Sequence, residues 1–318
     1  MTLPTLPAHR LAECPPERRW LIDELWADEA VGIVGGEPKC CKSFLALDMA
    51  VAVAGGVPCL RRFAPAQTGR VLLFAAEDAL HVVRQRLAGI AAAAGRDLAE
   101  IDIHVITAPS VRLDLERDRD ALVDTIVELS PRLLVLDPFV RLHRIDENLS
   151  GEVAPLLAYL RELQRRFHLA VVLVHHARKG GARMRAGQAL RGSSEFHAWG
   201  DSNLYLRRHG DQLSLSVEHR AAPSITAISV QLAVDGEAVA LTALDPQPAA
   251  PAASPAIIDS PTTEQKIEAH LAAAASPLTA SILRKLCRAR NATVTTALAE
   301  LVAAGRVRKV ACGYVIAP

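Results

Sequence analysis

Short apolar runs alternate with longer helix-forming patterns through the first two thirds of the chain. The runs are apolar at consecutive positions, as in strands that are buried on both faces, whereas the longer segments have the helical period. This alternation predicts an α/β fold in which helices cover a parallel sheet. Strands are predicted at residues 31–34, 71–75, 103–106, 133–136 and 170–174, and helices near 42–54, 79–94, 118–129 and 151–167.

The pattern changes after Ser202, where apolar and polar residues alternate one by one. Such alternation is typical of half-exposed strands. It predicts an antiparallel extension of the sheet over residues 204–206, 213–217, 228–232 and 238–241.

A linker rich in Pro and Ala is predicted at residues 246–262, because this composition cannot form a core. Beyond it, three helical patterns at 263–273, 279–287 and 293–304 end at Gly305, a residue suited to the left-handed end of a helix. A hairpin is then predicted to turn at Cys312 and Gly313. The predicted domains are a large α/β domain, 1–245, and a small winged-helix domain, 263–318.

The composition fits one large domain and one small one, with 318 residues of which 50% are hydrophobic. No apolar run reaches the ~20 residues of a membrane helix and the N-terminus lacks a secretory pattern, so a soluble, cytoplasmic protein is expected. The six cysteines lack a metal-ligand spacing and are expected to be reduced thiols. The net charge is +1, but residues 263–318 alone carry eight cations against three anions, or +5. This basic tail favours a nucleic-acid partner.

The first predicted strand runs into a turn that fits a phosphate-binding loop. The template G-x-x-x-x-G-K-S/T is met at Gly36, Lys42 and Ser43, with Cys41 in place of the second glycine. In such loops backbone N–H groups surround the phosphates, the lysine offsets their charge and the hydroxyl binds Mg²⁺. ATP and Mg²⁺ are therefore the predicted ligands, and a chance strand–turn–helix junction is the alternative. The predicted phosphate contacts are Gly36, Glu37, Pro38, Lys39, Cys40, Cys41, Lys42 and Ser43.

Two cysteines, Cys40 and Cys41, lie in this loop at a helix N-terminus, which favours thiolates. A redox-sensitive nucleotide site is one hypothesis. A Cys41 that merely replaces a small residue is the other.

Two further strands end in carboxylates. Glu77 follows the 71–75 run and Asp137 follows the 133–136 run. Because parallel strands bring their carboxyl ends to one edge of a sheet, Glu77 is predicted to activate the attacking water and Asp137 to hold Mg²⁺. Acids that simply end strands in solvent are the alternative, and Asp78 is expected to cap the following helix.

The 170–174 run ends in His175 and His176. A histidine at this edge can hydrogen-bond the γ-phosphate and report its loss, and His176 is favoured over His175 for this role. Two histidines that close a strand without a ligand are the alternative.

These segments together resemble the RepA-like branch of RecA-type ATPases, which includes the hexameric replicative helicases of plasmids. The matching text is GGEPKCCKSFLALDMA, VLLFAAEDAL, LLVLDPFVRLHRIDEN, VVLVHHARKG and ALRGSSEFHAW. The resemblance implies a RecA-like P-loop core with Ser43 and Asp137 on the metal side, Glu77 as catalytic base and His176 as sensor. It also implies rings in which an arginine from the neighbour completes each site.

The position of that arginine departs from the helicase pattern. Where the helicases carry it after the RGSS sequence, this chain has Asp201. Other RecA-type rings use a K-x-R pair on a late strand, and here Glu218 replaces the lysine while Arg220 matches. Arg220 is therefore predicted to act in trans, with a structural surface arginine as the alternative and Arg191 as second choice.

The winged-helix resemblance of the tail implies a third helix in the major groove of DNA. Protein interaction is the alternative use of such a module. Together the two resemblances imply a hexameric, DNA-associated ATPase that acts on single- or double-stranded DNA and is similar to the plasmid helicases. The alternatives are an ATP-gated DNA-binding regulator and a recombination scaffold. The predicted DNA contacts are Arg288, Arg290, Thr295, Arg306, Arg308 and Lys309.

Overall fold

The computed structural model describes residues 3–11, 19–176, 195–210, 212–244, 263–274, 276–287, 291–310 and 312–317. Two compact units make up the chain, Met1–Pro246 and Gln247–Pro318. Within the described residues, no helix combines the length and the apolar character that crossing a membrane requires.

The large unit contains a nine-stranded sheet, a two-stranded hairpin and helices on both sides of the sheet. Its strands are β1 (Trp20–Ile22), β2 (Trp26–Ala27), β3 (Val31–Gly36), β4 (Val71–Ala75), β5 (Ile103–Val105), β6 (Leu133–Asp137), β7 (Ala170–His176), β8 (Ser202–His209), β9 (Gln212–His219), β10 (Ile225–Asp235) and β11 (Ala238–Ala243). Its helices are α1 (Lys42–Gly55), α2 (Leu80–Ala93), α3 (Glu116–Leu129), α4 (Ser150–Phe167) and α5 (Glu195–Trp199).

The strand order of the large sheet is β11-β10-β9-β8-β3-β7-β6-β4-β5. The six strands from β8 to β5 are parallel, and β9, β10 and β11 add to them in antiparallel fashion. The predicted α/β class, with a largely parallel sheet covered by helices, is confirmed. The hairpin of β1 and β2 and the short helix α5 were not predicted.

Strand β8 corrects one expectation, because it is parallel to β3, from Gly32 opposite Ser202 to Gly36 opposite Leu206. Its first two residues are polar yet buried and bind neighbouring backbone: the Asn203 side chain accepts a hydrogen bond from the N–H of Ile33 at 3.1 Å, and the Ser202 hydroxyl accepts one from the N–H of Ala27 at 3.0 Å. The alternation that suggested a half-exposed strand therefore reflects buried hydrogen bonding. The antiparallel part begins at β9.

Both faces of the parallel sheet are buried, and successive residues of a strand enter different cores. On β6, Leu133 and Val135 pack with α1 and α2, whereas Leu134 and Leu136 pack with α3 and α4. Because a strand points alternate side chains to opposite faces, both faces demand apolar residues. This explains the continuous apolar runs in the sequence.

A buried carboxylate fixes α1 to the segment that follows it. Asp48 is fully buried and accepts hydrogen bonds from the Leu60 N–H at 2.5 Å, the Arg61 guanidinium at 2.6 Å and the Cys59 thiol at 3.2 Å. Its charge is thus both paired and hydrogen-bonded, as a buried charge requires. The helix that carries the phosphate loop is anchored by this contact.

The small unit contains the three helices and the hairpin expected from the pattern. They are α6 (Thr263–Ala272), α7 (Ala280–Cys287), α8 (Asn291–Ala303), β12 (Val307–Val310) and β13 (Gly313–Ile316). A separate core joins them, with Ile267, Leu283, Leu298 and Val307 among its buried residues. Gly305 follows α8 with a φ of 70°, in the left-handed region that favours glycine after a helix.

Candidate functional site

The loop between β3 and α1 has the backbone of a tight anion-binding turn, even without its second glycine. Cys41 stands at the start of α1 with φ 65° and ψ 26°, which is the left-handed conformation that glycine adopts most easily. A non-glycine residue there costs about 1 kcal/mol. The turn is therefore preserved with Cys41 in place of glycine, at a small cost in backbone strain.

The first glycine of the loop is required by its surroundings. Gly36 has a φ of 156°, and a Cβ placed on it would lie 2.4 Å from the Leu206 carbonyl oxygen and 2.7 Å from the Cys40 sulfur. No side chain fits at this position without moving the backbone of β8. The loop thus starts from a fixed point on the sheet.

Lys42 lies inside the phosphate loop, where its positive charge would offset that of bound phosphates. Its side chain is 5% exposed, and its Nζ donates a hydrogen bond to the Glu37 carbonyl oxygen at 2.8 Å. Burial lowers the pKa of Lys42, and the negative charges of Asp137 and Glu77 act in the opposite direction. The Glu37 carbonyl thus holds the Lys42 ammonium group in the loop, and phosphate oxygens can take the place of that carbonyl as acceptors.

Asp137 lies beside the hydroxyl group of the loop. Its carboxylate is 8% exposed and accepts a hydrogen bond from the Ser43 hydroxyl. The pKa of Asp137 is raised to about 6, mainly by burial and to a smaller extent by the charges of Asp78 and Glu77, while Ser43 and Lys42 act in the opposite direction. A hydroxyl and a carboxylate that touch each other are hard oxygen donors of the kind that Mg²⁺ prefers.

Glu77 emerges from the strand next to Asp137. Ala75 on β4 is in register with Asp137 on β6, so Glu77 projects two residues beyond the same edge. Its side chain is 44% exposed and forms an ion pair with Arg141, whose Nε lies 3.0 Å from Oε1. Glu77 therefore reaches solvent beside the phosphate loop, as a water-activating base must.

Asp78 does not cap α2, contrary to the expectation from sequence. The residue before α2 is Ala79, which makes no side-chain cap. The Asp78 carboxylate instead forms an ion pair with Arg86, which lies within α2. A pair between Asp78 and Arg86 holds the aspartate within its own segment. Of the two adjacent acids, Glu77 is the one that pairs with a residue following β6.

The two histidines at the end of β7 point to opposite faces. His175 is 1% exposed and stacks on Phe196 with ring centroids 4.3 Å apart, so it belongs to the core on the α4 side. His176 is half-buried and stands in register with Gly36. Since strand side chains alternate, His176 lies on the side of α1 and the phosphate loop. This placement is the one a γ-phosphate sensor needs, and the role itself stays a prediction.

Comparisons with known proteins assign the chain to a family. The model of the family AAA_25, described as an AAA domain, matches residues 1–182, more than half of the 318-residue chain. The chain belongs to this AAA domain family. Its backbone also resembles the solved structure of the KaiC-like protein PH0186 from the hyperthermophilic archaeon Pyrococcus horikoshii OT3, at 12% sequence identity and a TM-score of 0.48. That similarity covers 70% of this chain and 93% of the archaeal one.

Burial of Cys40 weakens the redox hypothesis for this AAA domain. The Cys40 side chain is fully buried and donates a hydrogen bond to the Glu37 carbonyl oxygen at 2.8 Å. Burial raises the pKa of the Cys40 thiol, against the smaller opposing effect of Lys42. The helix N-terminus therefore does not make Cys40 a thiolate.

Arg220, predicted to act in trans, lies at the opposite edge of the sheet from the phosphate loop of its own chain. Its N–H donates to the Asp201 carbonyl, and Asp201 in turn donates to Val31 at the start of β3. The Arg220 guanidinium contacts the carbonyl oxygens of Ala198 and Trp199 and lies 3.4 Å from the Asp201 carboxylate. These contacts suit the structural alternative, while a role in a neighbour's site stays a prediction. Arg191 lies outside the described residues.

The predicted DNA-contacting residues of the tail fall into three groups. Thr295, Arg308 and Lys309 are exposed. Arg306 forms an ion pair with Glu268 on α6 at 2.5 Å, so part of its charge is already neutralised. Arg288 and Arg290 lie outside the described residues.

Two arginines near the phosphate loop were missed in the sequence. Arg141 pairs with Glu77, and the Arg208 guanidinium lies 3.3 Å from the Lys39 carbonyl oxygen. A parallel assignment for β8 would have placed Arg208 beside the loop. For Arg141, the signal was a cation four residues after β6, which ends at the edge of the sheet where the phosphate loop lies.

Proposed function

We propose that the chain hydrolyses ATP as a DNA-associated ring ATPase resembling the plasmid replicative helicases. The observation that carries the proposal is the cluster formed by Lys42, Ser43 and Asp137 behind a left-handed turn at Cys41. A site for a nucleoside triphosphate requires backbone N–H groups, a cation and oxygen ligands for the metal ion. The AAA domain family supports the ATPase part of the proposal.

Each residue has one task in the reaction. Lys42 moves from the Glu37 carbonyl to the β- and γ-phosphates, because charged oxygens are stronger acceptors than a carbonyl. Ser43 and Asp137 would hold Mg²⁺, which when bound neutralises charge on the phosphates. The oxygen of water attacks the γ-phosphorus, the bond to the bridging oxygen breaks and ADP leaves. Glu77 takes the proton of that water.

Turnover measured on matched variants tests the ATPase part. Glu77→Gln should retain affinity for an ATP analogue while turnover falls about 10²- to 10⁴-fold, as expected for loss of a general base. Lys42→Ala should lose the affinity itself. Arg84→Ala, an exposed change on α2, is the control. Full turnover in Glu77→Gln would show that another residue is the base.

The DNA part rests on the exposed cations of the small unit and on its three helices and hairpin, the arrangement of a winged helix. The whole chain 1–318 should bind single- or double-stranded DNA more weakly as salt rises, because phosphate contacts release counterions. Mass measurement with ATP tests the hexameric ring, and strand displacement on a forked substrate tests helicase activity.

An ATP-gated DNA-binding regulator is the second candidate. The observation in its favour is that Arg220 is engaged by Asp201 and two carbonyl groups of its own chain, so it is less available to a neighbour's site. DNA binding that responds to ATP without strand displacement would favour the regulator over the helicase.

A further inference from the structure

The ion pair between Glu77 and Arg141 joins two neighbouring strands at the edge where the phosphate loop lies. Glu77 stands two residues after Ala75 on β4, and Arg141 stands four residues after Asp137 on β6, with which Ala75 is in register. The contact joins Arg141 Nε to Glu77 Oε1 at 3.0 Å. The base proposed for hydrolysis thus has a cation on one of its two oxygens.

The turn that carries Arg141 is held firmly in place. Phe139 is fully buried, with its ring 5.3 Å from that of Phe196 and 6.1 Å from that of His175, measured between centroids. Leu142, on the other side of Arg141, is also fully buried, and its carbonyl accepts the N–H of Leu113 at 2.7 Å. Arg141 is therefore an exposed side chain on a backbone fixed by two buried neighbours. A catalytic group is held accurately by a partner on such a rigid support.

The adjacent acids Glu77 and Asp78 pair with arginines on different elements. Asp78 pairs with Arg86 on α2, within its own segment, whereas Glu77 pairs with Arg141 from the neighbouring strand. Like charges on consecutive residues repel each other, and two cations on different elements give each carboxylate its own direction. The partner of Glu77 follows β6, the strand that ends in Asp137, and the charges of Glu77 and Asp78 both act on Asp137.

We propose that Arg141 is a positioning residue, which holds the Glu77 carboxylate through Oε1 so that its other oxygen receives the proton of the attacking water. The inference rests on the proposed ATP hydrolysis and adds a residue to it. Arg141 touches the base and leaves nucleotide affinity to the phosphate loop. Its loss should therefore lower kcat and leave KM unchanged.

Steady-state ATPase assays on the full chain test this role. Arg141→Ala should lower kcat by about 10- to 100-fold, because a misplacement of about 1 Å can cost about 10²-fold, with KM within about twofold of wild type. Arg141→Lys should recover part of kcat, because an ammonium can still pair with the carboxylate. The control is Arg144→Ala, an exposed arginine of the same loop whose backbone N–H donates a hydrogen bond to Asp114.

The double variant separates positioning from a general structural effect. If Arg141 acts through Glu77, then Arg141→Ala should lower kcat no further in the Glu77→Gln background. An additive loss, or an unchanged kcat in Arg141→Ala with active wild type, would overturn this inference alone. Wild-type protein without turnover would overturn the proposed function and this inference with it.

Discussion

Gly36 on β3 and His176 on β7 stand opposite each other in parallel register. The first residue of the phosphate loop and the last residue of its neighbouring strand are therefore fixed to each other through the sheet. A change of hydrogen bonding at His176 on loss of the γ-phosphate would be passed directly to β7, which runs into the segment that follows residue 176.

We expect His176→Ala to keep affinity for an ATP analogue within about twofold but to lose the difference in assembly between the ATP- and ADP-bound protein. The physical reason is that the loop still binds phosphate while the strand no longer reports it. Mass photometry with each nucleotide measures the difference, with the exposed His81→Ala as control. A nucleotide-dependent assembly equal to that of wild type would assign the sensing to another residue.

Substitutions at Cys41 should follow backbone conformation rather than thiol chemistry. Cys41→Gly should retain ATP-analogue affinity with an equal or higher Tm, because glycine adopts φ 65° without strain. Cys41→Val should lose affinity and at least 1 kcal/mol of stability, because a β-branched residue is a true outlier in this region. Calorimetry measures the Tm of both variants, and nucleotide titration measures their affinity for the ATP analogue. Equal behaviour of the two would contradict the conformational account.

Asp137 gives the nucleotide-free protein a pH-dependent stability. Its pKa is about 6 in the folded chain, above the ~3.9 expected when unfolded, so the native state binds the extra proton between these values. The free energy of unfolding should therefore fall as pH rises from about 4 to 6, by up to about 3 kcal/mol. Asp137→Asn should remove this fall and stabilise the nucleotide-free protein at pH 7.5. Urea unfolding in EDTA measures it, and a variant that keeps the wild-type pH profile would contradict the assignment.

Asp48→Ala should destabilise the large unit by about 3–5 kcal/mol, since it leaves the Arg61 guanidinium and the Leu60 N–H without their buried acceptor. The main urea transition would report the loss. Asp124→Ala, an exposed change on α3, serves as the control and should cost little. Comparable losses for the two variants would mean that the Asp48 contacts do not hold α1 in place.

Arg308 and Lys309 should contribute to DNA affinity through phosphates. Replacing both by Ala should lower affinity for every sequence and reduce the slope of log affinity against log salt by about 2. Arg306→Ala should change the slope less, because Glu268 already pairs with that cation. Fluorescence anisotropy over a salt series provides the measurement. An unaltered slope in the double variant would contradict these phosphate contacts and favour protein interaction as the role of the small unit.

The sequence predicted much of the fold, because burial on two faces demands unbroken apolar runs, as in Leu133–Asp137. It failed at β8, where Ser202 and Asn203 are polar yet buried, since they bind backbone groups of other strands that no local pattern reveals. At the site, the loop template led to Lys42 and Ser43, whereas the Glu77 partner Arg141 depends on which strands are neighbours. Strand order is a long-range property, and the pattern of one segment does not contain it.

The raised pKa of Asp137 also has a thermal consequence for ligand binding. Near pH 6 about half of the nucleotide-free molecules carry a proton on this carboxyl group, and a magnesium nucleotide that needs the ionised form would expel that proton into the buffer. The heat of binding would then depend on the ionisation enthalpy of the buffer, strongly at pH 5.5 and weakly at pH 8. Titrations in two buffers that hold the pH but differ in ionisation enthalpy would then give different heats, and the part of that difference lost in Asp137→Asn would count the proton released at this carboxylate.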